Sequence, residues 1–258
     1  MASDTEPQPT TRARSFDTAA AQYAANRPSY PPALLDAVEE RATSPLKGAV
    51  VADVGAGTGI ATALLRERGA RVVAVEPGAA MAAELRRALP DVPLVRGDGD
   101  HLPLASACAD FITYAQAWHW TDVTRSVPEA RRVLRPGGTL AVWWNTTDHT
   151  VGWLADQDAR VRAFLDAPDA GGAHGARGGG RIQPDPPVFD FVQRRIPWTR
   201  RVPLATHLAN LGSHSAFLML GEARAQEFLT EERRVLSALF PDGTVEESYV
   251  VDLWTATR

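Results

Sequence analysis

Between residues 49 and 145 the chain alternates short apolar runs with helical stretches, and few architectures accommodate that alternation. The runs are "AVVADVG" (49–55), "RVVAVEP" (71–77), "VPLVRGD" (92–98), "DFITYAQ" (110–116) and "TLAVWWN" (139–145). All but the third are apolar and β-branched enough to be buried on both faces, as strands of a parallel sheet are. Between them lie the helical stretches "IATALLRERG", "AAMAAELRRALP" and "TRSVPEARRVLRPGG", ended by Gly69, Pro90 and the Gly137-Gly138 pair. This spacing predicts an α/β fold with a doubly wound, mostly parallel sheet.

The flanks are less regular. Residues 1–14 read as a disordered tail, and 15–45 as an N-terminal helical lid. In the lid, Ala19, Ala20, Tyr23 and Ala24 recur at helical spacing, and Pro31-Pro32 opens a second helix reaching about Arg41. After Asn145, "VGWLADQDARVRAFL" is helical and "APDAGGAHGARGGGR" is a glycine-rich loop. "VFDFVQRRIPW" (188–198) and "ESYVVDLWTAT" (247–257) read as an antiparallel pair on one sheet edge, completing a seven-stranded Rossmann-like sheet. The expected core is 46–150 and 183–258, with cap elements at about 150–182 and 203–222.

The 258 residues carry a net charge of −4, and the arginine pairs are scattered, so no basic surface for nucleic acid is expected. The only cysteine is Cys108, which rules out an intrachain disulfide and a cysteine metal site. No signal peptide or membrane-length apolar run is evident, so a cytoplasmic protein, monomeric or homodimeric, is expected. The six histidines are dispersed, and no metal is expected.

"VVADVGAGTGIATALL" runs from a strand through Gly55, Gly57 and Gly59 into a helix. Such a turn lets backbone approach a ligand and aims helix N–H groups at it. Ile60 stands where a dinucleotide fingerprint wants its last glycine, and Asp53 is a poor neighbour for a pyrophosphate but a good one for an ammonium. Glu76 ends the next strand 17 residues past Gly59, where a carboxylate can accept both ribose hydroxyls. A ligand with a ribose, an amino group and no phosphate is S-adenosylmethionine. In "RGDGDHLP", Asp98 is placed to take the adenine amino group, with Gly99 and Asp100 at the ring edge.

Taken together, "VADVGAGTG", "AVEPGAAM", "GDGDHLPL", "AQAWHW" and "LRPGGTLAVWWN" resemble the class I S-adenosylmethionine-dependent methyltransferases. They are most similar to the small-molecule branch with the trans-aconitate and ubiquinone-biosynthesis enzymes. The resemblance implies that Gly55, Gly57 and Gly59 cradle the methionine part and that Asp53 holds its ammonium through the turn or water. It further implies Glu76 on the ribose, Pro77 and Met81 flanking the adenine, and the Gln116 carbonyl near the methionyl amine. Arg27 is implied for the methionine carboxylate, and Tyr23 for the sulfonium. The product would be S-adenosylhomocysteine.

"YAQAWHWTD" (114–122) places His119 on the reactive side of the sheet, as a general base or as scaffold. Phe16, Tyr30, Trp118, Trp120 and Trp144 are the candidate walls of a substrate cavity for a flat aromatic acceptor such as an indole or phenol. Carboxyl methylation of a small organic acid is the rival reading, with Arg194, Arg195, Arg200 and Arg201 as its only cation candidates. A non-catalytic module that keeps the cofactor fold is the rival of another class. Nucleic-acid methylation is disfavoured, because "QAWH" stands where an Asn-Pro-Pro-Tyr element is expected.

Overall fold

Period-two burial in the central strands builds the two faces of the core. The computed structural model describes residues 26–166, 182 and 188–258. Strands β1 (Val50–Val54), β2 (Arg71–Val75), β3 (Leu94–Val95), β4 (Ala109–Ala115) and β5 (Leu134–Thr147) run parallel. Strands β6 (Val192–Pro203) and β7 (Thr244–Thr257) form an antiparallel pair joined to β5, giving the order β3-β2-β1-β4-β5-β7-β6. The expected seven-stranded α/β sheet is what the chain forms.

One face carries Val51, Phe111, Ala141 and Trp143 against Leu34 and Val38 of α1 (Pro32–Arg41) and Ala61 and Leu65 of α2 (Ile60–Glu67). The other carries Ala52, Val54, Ile112, Tyr114, Leu140 and Val142 against Val127, Ala130 and Val133 of α4 (Val123–Val133). Helix α3 (Ala79–Ala88) buries Leu85 in a smaller cluster with Ala56, Ala74 and Val92.

Two boundaries move from their sequence positions. Helix α4 stops at Val133, because Leu134 already pairs with Ala109 and a register shift follows. The Gly137-Gly138 pair therefore lies within β5 instead of ending the helix, and it exchanges backbone hydrogen bonds with Arg258. A Cβ on Gly138 would stand 3.0 Å from the Asp110 carbonyl oxygen, which explains the glycine. The β6–β7 ladder is also longer than its apolar runs, reaching Pro203 opposite Thr244.

Helix α5 (Gly152–Leu165) follows β5, and α6 (Leu204–Gly212), α7 (Ser215–Leu220) and α8 (Glu222–Leu239) join β6 to β7. The tail, the first 11 residues of the lid (15–25) and the glycine-rich loop lie outside the described residues. Among the described residues, no helix is long and apolar enough to cross a membrane. Helices α5 and α8 are linked by Glu232, which is 1% exposed and accepts from Arg160 at 2.7 and 2.8 Å and from Gln157 at 3.0 Å. Removing the guanidinium leaves a buried carboxylate short of its cation. Arg160→Ala is therefore expected to lower the unfolding free energy by roughly 3 kcal/mol in urea denaturation, while Arg162→Ala on the exposed side changes it by under about 0.5 kcal/mol.

Candidate active site

The glycine turn follows β1, whose neighbours β2 and β4 connect in opposite directions, so it sits at the switch point where such sheets bind ligands. Gly55, Gly57 and Gly59 have φ of +68°, +58° and +93°, a region that costs other residues energy. They differ in what surrounds them. A Cβ on Gly55 would lie 2.4 Å from the Ala117 Cβ, and one on Gly59 would lie 3.1 Å from Leu85, whereas one on Gly57 meets nothing within 4 Å. The first and third glycines serve packing; the second leaves a space.

Glu76, 6% exposed, closes that space. It accepts the Gly57 N–H at 2.8 Å and the Gly78 N–H at 2.7 Å, tying the turn to the end of β2. Thr58 in the same turn keeps a buried hydroxyl with no partner. An orphan hydroxyl, a buried carboxylate and a glycine with open space fit the methionine and ribose ends of S-adenosylmethionine. Nearby, Met81 is buried on α3, and the Pro77 carbonyl accepts from Arg96. Asp98 accepts the N–H groups of Asp100 and His101 at 3.0 and 3.1 Å, which shapes its own loop. Asp100 accepts the Asp122 N–H at 2.9 Å; burial outweighs this bond and raises its carboxyl above the usual range. Gly99 packs so closely that a Cβ would sit 2.8 Å from Thr121 Cγ2.

Asp53 lies beneath the turn. It is fully buried on the face under α2, beside Thr113 in the β1–β4 register, and accepts from Thr62 Oγ1 at 2.6 Å and Thr113 Oγ1 at 2.8 Å. Burial raises its pKa to about 6 against the two hydroxyl bonds. The alternation that buries Val51 carries Asp53 with it, so the carboxylate braces the turn from beneath. Thr62 and Thr113 lack any local sequence signal for this role; the strand register alone finds them.

His119 lies in the short 3₁₀ turn Trp118–Trp120, where its Nδ1 accepts the Trp144 Nε1–H at 3.0 Å. Its proton is therefore on Nε2, and burial lowers its pKa to about 4. In that tautomer the ring donates and presents no lone pair, which favours scaffold over base. The tryptophans also turn inward. Trp118 is 1% exposed, edge-on to Tyr114, with its indole N–H on the Ile182 carbonyl; Trp144 is buried in the same core. Neither is among the residues that line the cavity beside the turn. Trp120 stacks obliquely on His119. Phe16 and Tyr23 lie outside the described residues.

A cavity of about 100 Å³ opens beside the turn. Its walls include Ile60, Gln116, Arg27 and Tyr30, and beyond them Asn210, His207 and Tyr249. Gln116 has φ +59°, a strained value for a non-glycine residue, and its side chain donates to the Asn145 carbonyl at 3.2 Å. Arg27 donates to the Ser213 carbonyl at 3.5 Å. The far wall, from β7 and α6, was not among the sequence candidates.

Residues 52–142 match the methyltransferase domain family. A demethylmenaquinone methyltransferase of Beutenbergia cavernae is 32% identical over 182 residues, 70% of each chain. The chain belongs to the class I S-adenosylmethionine-dependent methyltransferases. An uncharacterised methyltransferase of Mycobacterium bovis is 44% identical over 142 residues, which is 55% of this methyltransferase and 56% of that protein, so the chain matches little more than half of that relative's length. A solved structure of a type II methyltransferase from Anaeromyxobacter dehalogenans covers 90% of the chain and 97% of its own, with 25% identity and a TM-score of 0.64. Among the described residues of this methyltransferase, no cluster of three or more histidine, cysteine or acidic side chains could hold a metal ion.

Two outcomes follow for the turn of this methyltransferase. Gly55→Ala should destabilise the fold by at least about 2 kcal/mol through clash and φ strain. Gly57→Ala should cost only about 1–2 kcal/mol of φ strain and fill the open space, so thermal melts separate the two. The Asp53 carboxyl, with its pKa raised from 3.8 to about 6, binds protons more tightly folded than unfolded. Its stabilising contribution is thus full below pH 3.8 and lost as pH rises through about 6. Relative to Asp53→Asn, the wild type should lose roughly 2–3 kcal/mol between those pH values in denaturation series, and parallel curves would refute the shift.

Proposed function

We propose that this methyltransferase binds S-adenosylmethionine at the glycine turn and methylates a small molecule held in the adjoining cavity. The observation that carries the reading is the open face of Gly57, beside Glu76 and the unpartnered Thr58 hydroxyl, with a cavity whose wall starts at Ile60, just after the turn. Glu76 would take the ribose hydroxyls, the glycine turn would cradle the methionine end, and the Gln116 carbonyl would take the amine. Met81 and Pro77 would flank the adenine, and Asp98 to Asp100 would meet its edge. S-adenosylmethionine supplies an activated methyl on a sulfonium and is released as S-adenosylhomocysteine. The chain's part is to orient the acceptor and exclude water.

The acceptor we favour is an aromatic natural product such as an indole or phenol, for which Tyr30, Leu154 and Leu211 supply apolar wall. For a small organic acid the cavity needs a cluster of cations. Arg194 is paired with Glu40 and Arg201 with Asp242 on the surface, and Arg200 is held by Glu247. That distribution supports the aromatic reading over the carboxylate one.

Calorimetry of the full chain with S-adenosylmethionine, S-adenosylhomocysteine and NADH tests the cofactor. Binding of the first two and not the third is expected. Glu76→Ala should weaken both by roughly 1.5–3 kcal/mol, the scale of hydrogen bonds to a charged group. Absence of binding to either adenosyl compound would return the chain to the non-catalytic reading.

A further inference from the structure

The wall of the cavity farthest in sequence from the turn is a chain of buried polar groups whose donors and acceptors can be assigned one after another. Glu232, ion-paired to Arg160, only accepts, so the nitrogen of the Gln157 amide faces it at 3.0 Å. The same nitrogen lies 2.9 Å from His207 Nε2, which must therefore accept. The imidazole proton is then on Nδ1, 2.7 Å from Glu247 Oε1. The other Glu247 oxygen takes Arg200 and the Tyr249 hydroxyl, the latter at 2.8 Å. Burial pushes the Glu247 carboxyl up, but the His207 and Arg200 hydrogen bonds outweigh it and hold the group below its usual range, hence ionised.

With its only hydrogen given to Glu247, the Tyr249 oxygen is left to accept from Asn210 Nδ2 at 3.3 Å. This fixes the Asn210 amide: nitrogen toward Tyr249, oxygen away from it. That oxygen has no hydrogen-bond partner, although Asn210 is 6% exposed and lies on the cavity wall. A buried acceptor left in this way is satisfied when a donor arrives.

The charges around it decide which donor. Glu247 is balanced by Arg200, His207 is a neutral tautomer, and burial keeps His214 neutral with Arg27 and His207 adding to the effect. Tyr30, Ile60, Leu154 and Leu211 supply apolar wall alongside the polar Gln116, Asn145 and Thr147, and Arg27, which donates to the Ser213 carbonyl, also lines the cavity. An anionic carboxylate would bring only acceptors toward Asn210 Oδ1 and Glu247. We propose that Asn210, oriented by Tyr249 and Glu247, determines acceptor specificity, its Oδ1 taking a hydrogen bond from a hydroxyl or N–H group on a neutral, largely apolar molecule. The proposal rests on the methyltransferase reading of this cavity and narrows its substrate class. Asn210 acts by positioning; it neither takes the proton nor touches the methyl donor.

Three probes of one shape test it: 2-naphthol, 2-methoxynaphthalene and 2-naphthoate, titrated into the full chain with S-adenosylhomocysteine and followed by ligand-observed NMR. The wild type should bind the naphthol about tenfold or more tighter than its methyl ether, with the naphthoate weakest. Asn210→Leu should bring the naphthol-to-ether ratio to within about twofold while ether binding is retained, an outcome that general loss of packing would not give. Tyr249→Phe removes the group that orients the amide and should reduce the ratio partway, giving a second reading should the leucine variant fail to fold. A ratio near one in the wild type, a ratio unchanged in both variants, or tightest binding by the naphthoate would each overturn the proposal. Prior titration of S-adenosylhomocysteine alone separates the two levels: if it does not bind, the methyltransferase reading fails, whereas normal binding without naphthol selectivity sinks only the role of Asn210.

Discussion

A carboxylate with no cation beside it sits in the middle of the sheet. Asp53 lies between β1, β4 and α2, and its two bonds come from the hydroxyls of Thr62 and Thr113. Those bonds lock the start of α2 to the end of β1 and to the neighbouring strand. The turn between them has little freedom left, since Gly55 rests on Ala117 and Gly59 on Leu85. What remains is the open face of Gly57. A ligand-binding turn must expose backbone without collapsing onto it, and here the bracing comes from underneath. The raised pKa of Asp53 marks the cost of holding a carboxyl there without a counter-charge.

The parallel sheet and its antiparallel edge pair were legible because burial on both faces leaves a signal that no loop imitates. Strand ends were harder to place. The Gly137-Gly138 pair looks like a helix stop in sequence, yet it serves a close backbone approach inside β5. Composition alone does not distinguish a glycine needed for its φ from one needed for its missing side chain. The tryptophans were ambiguous for a related reason. An aromatic residue just past a strand suits a ligand wall or a core equally well, and the difference for Trp118 is the Ile182 carbonyl, 64 residues away, that receives its N–H.

The turn and Glu76 are close in sequence and carry a recognisable spacing, whereas the polar wall has none. Gln157, His207, Asn210, Glu232, Glu247 and Tyr249 come from three helices and a strand. They meet only because β7 inserts antiparallel beside β5 and brings 247–249 next to α6. Each is an ordinary polar residue taken singly. Only the hydrogen-bond directions, followed from Glu232 to Asn210, turn them into a specified surface.

This division also accounts for the way the likeness to other methyltransferases is distributed. The family match ends at residue 142, within β5, and so covers the turn, Glu76 and Gln116 but none of the wall beyond. The first half presents backbone groups whose geometry is set by sheet register, which tolerates little change. The second half presents side chains on helices that pack on the sheet edge, where a substitution can alter polarity without moving β1 or its turn. On the proposal that Asn210 selects the acceptor, a relative with the same turn but a different group at that position is expected to accept a different molecule.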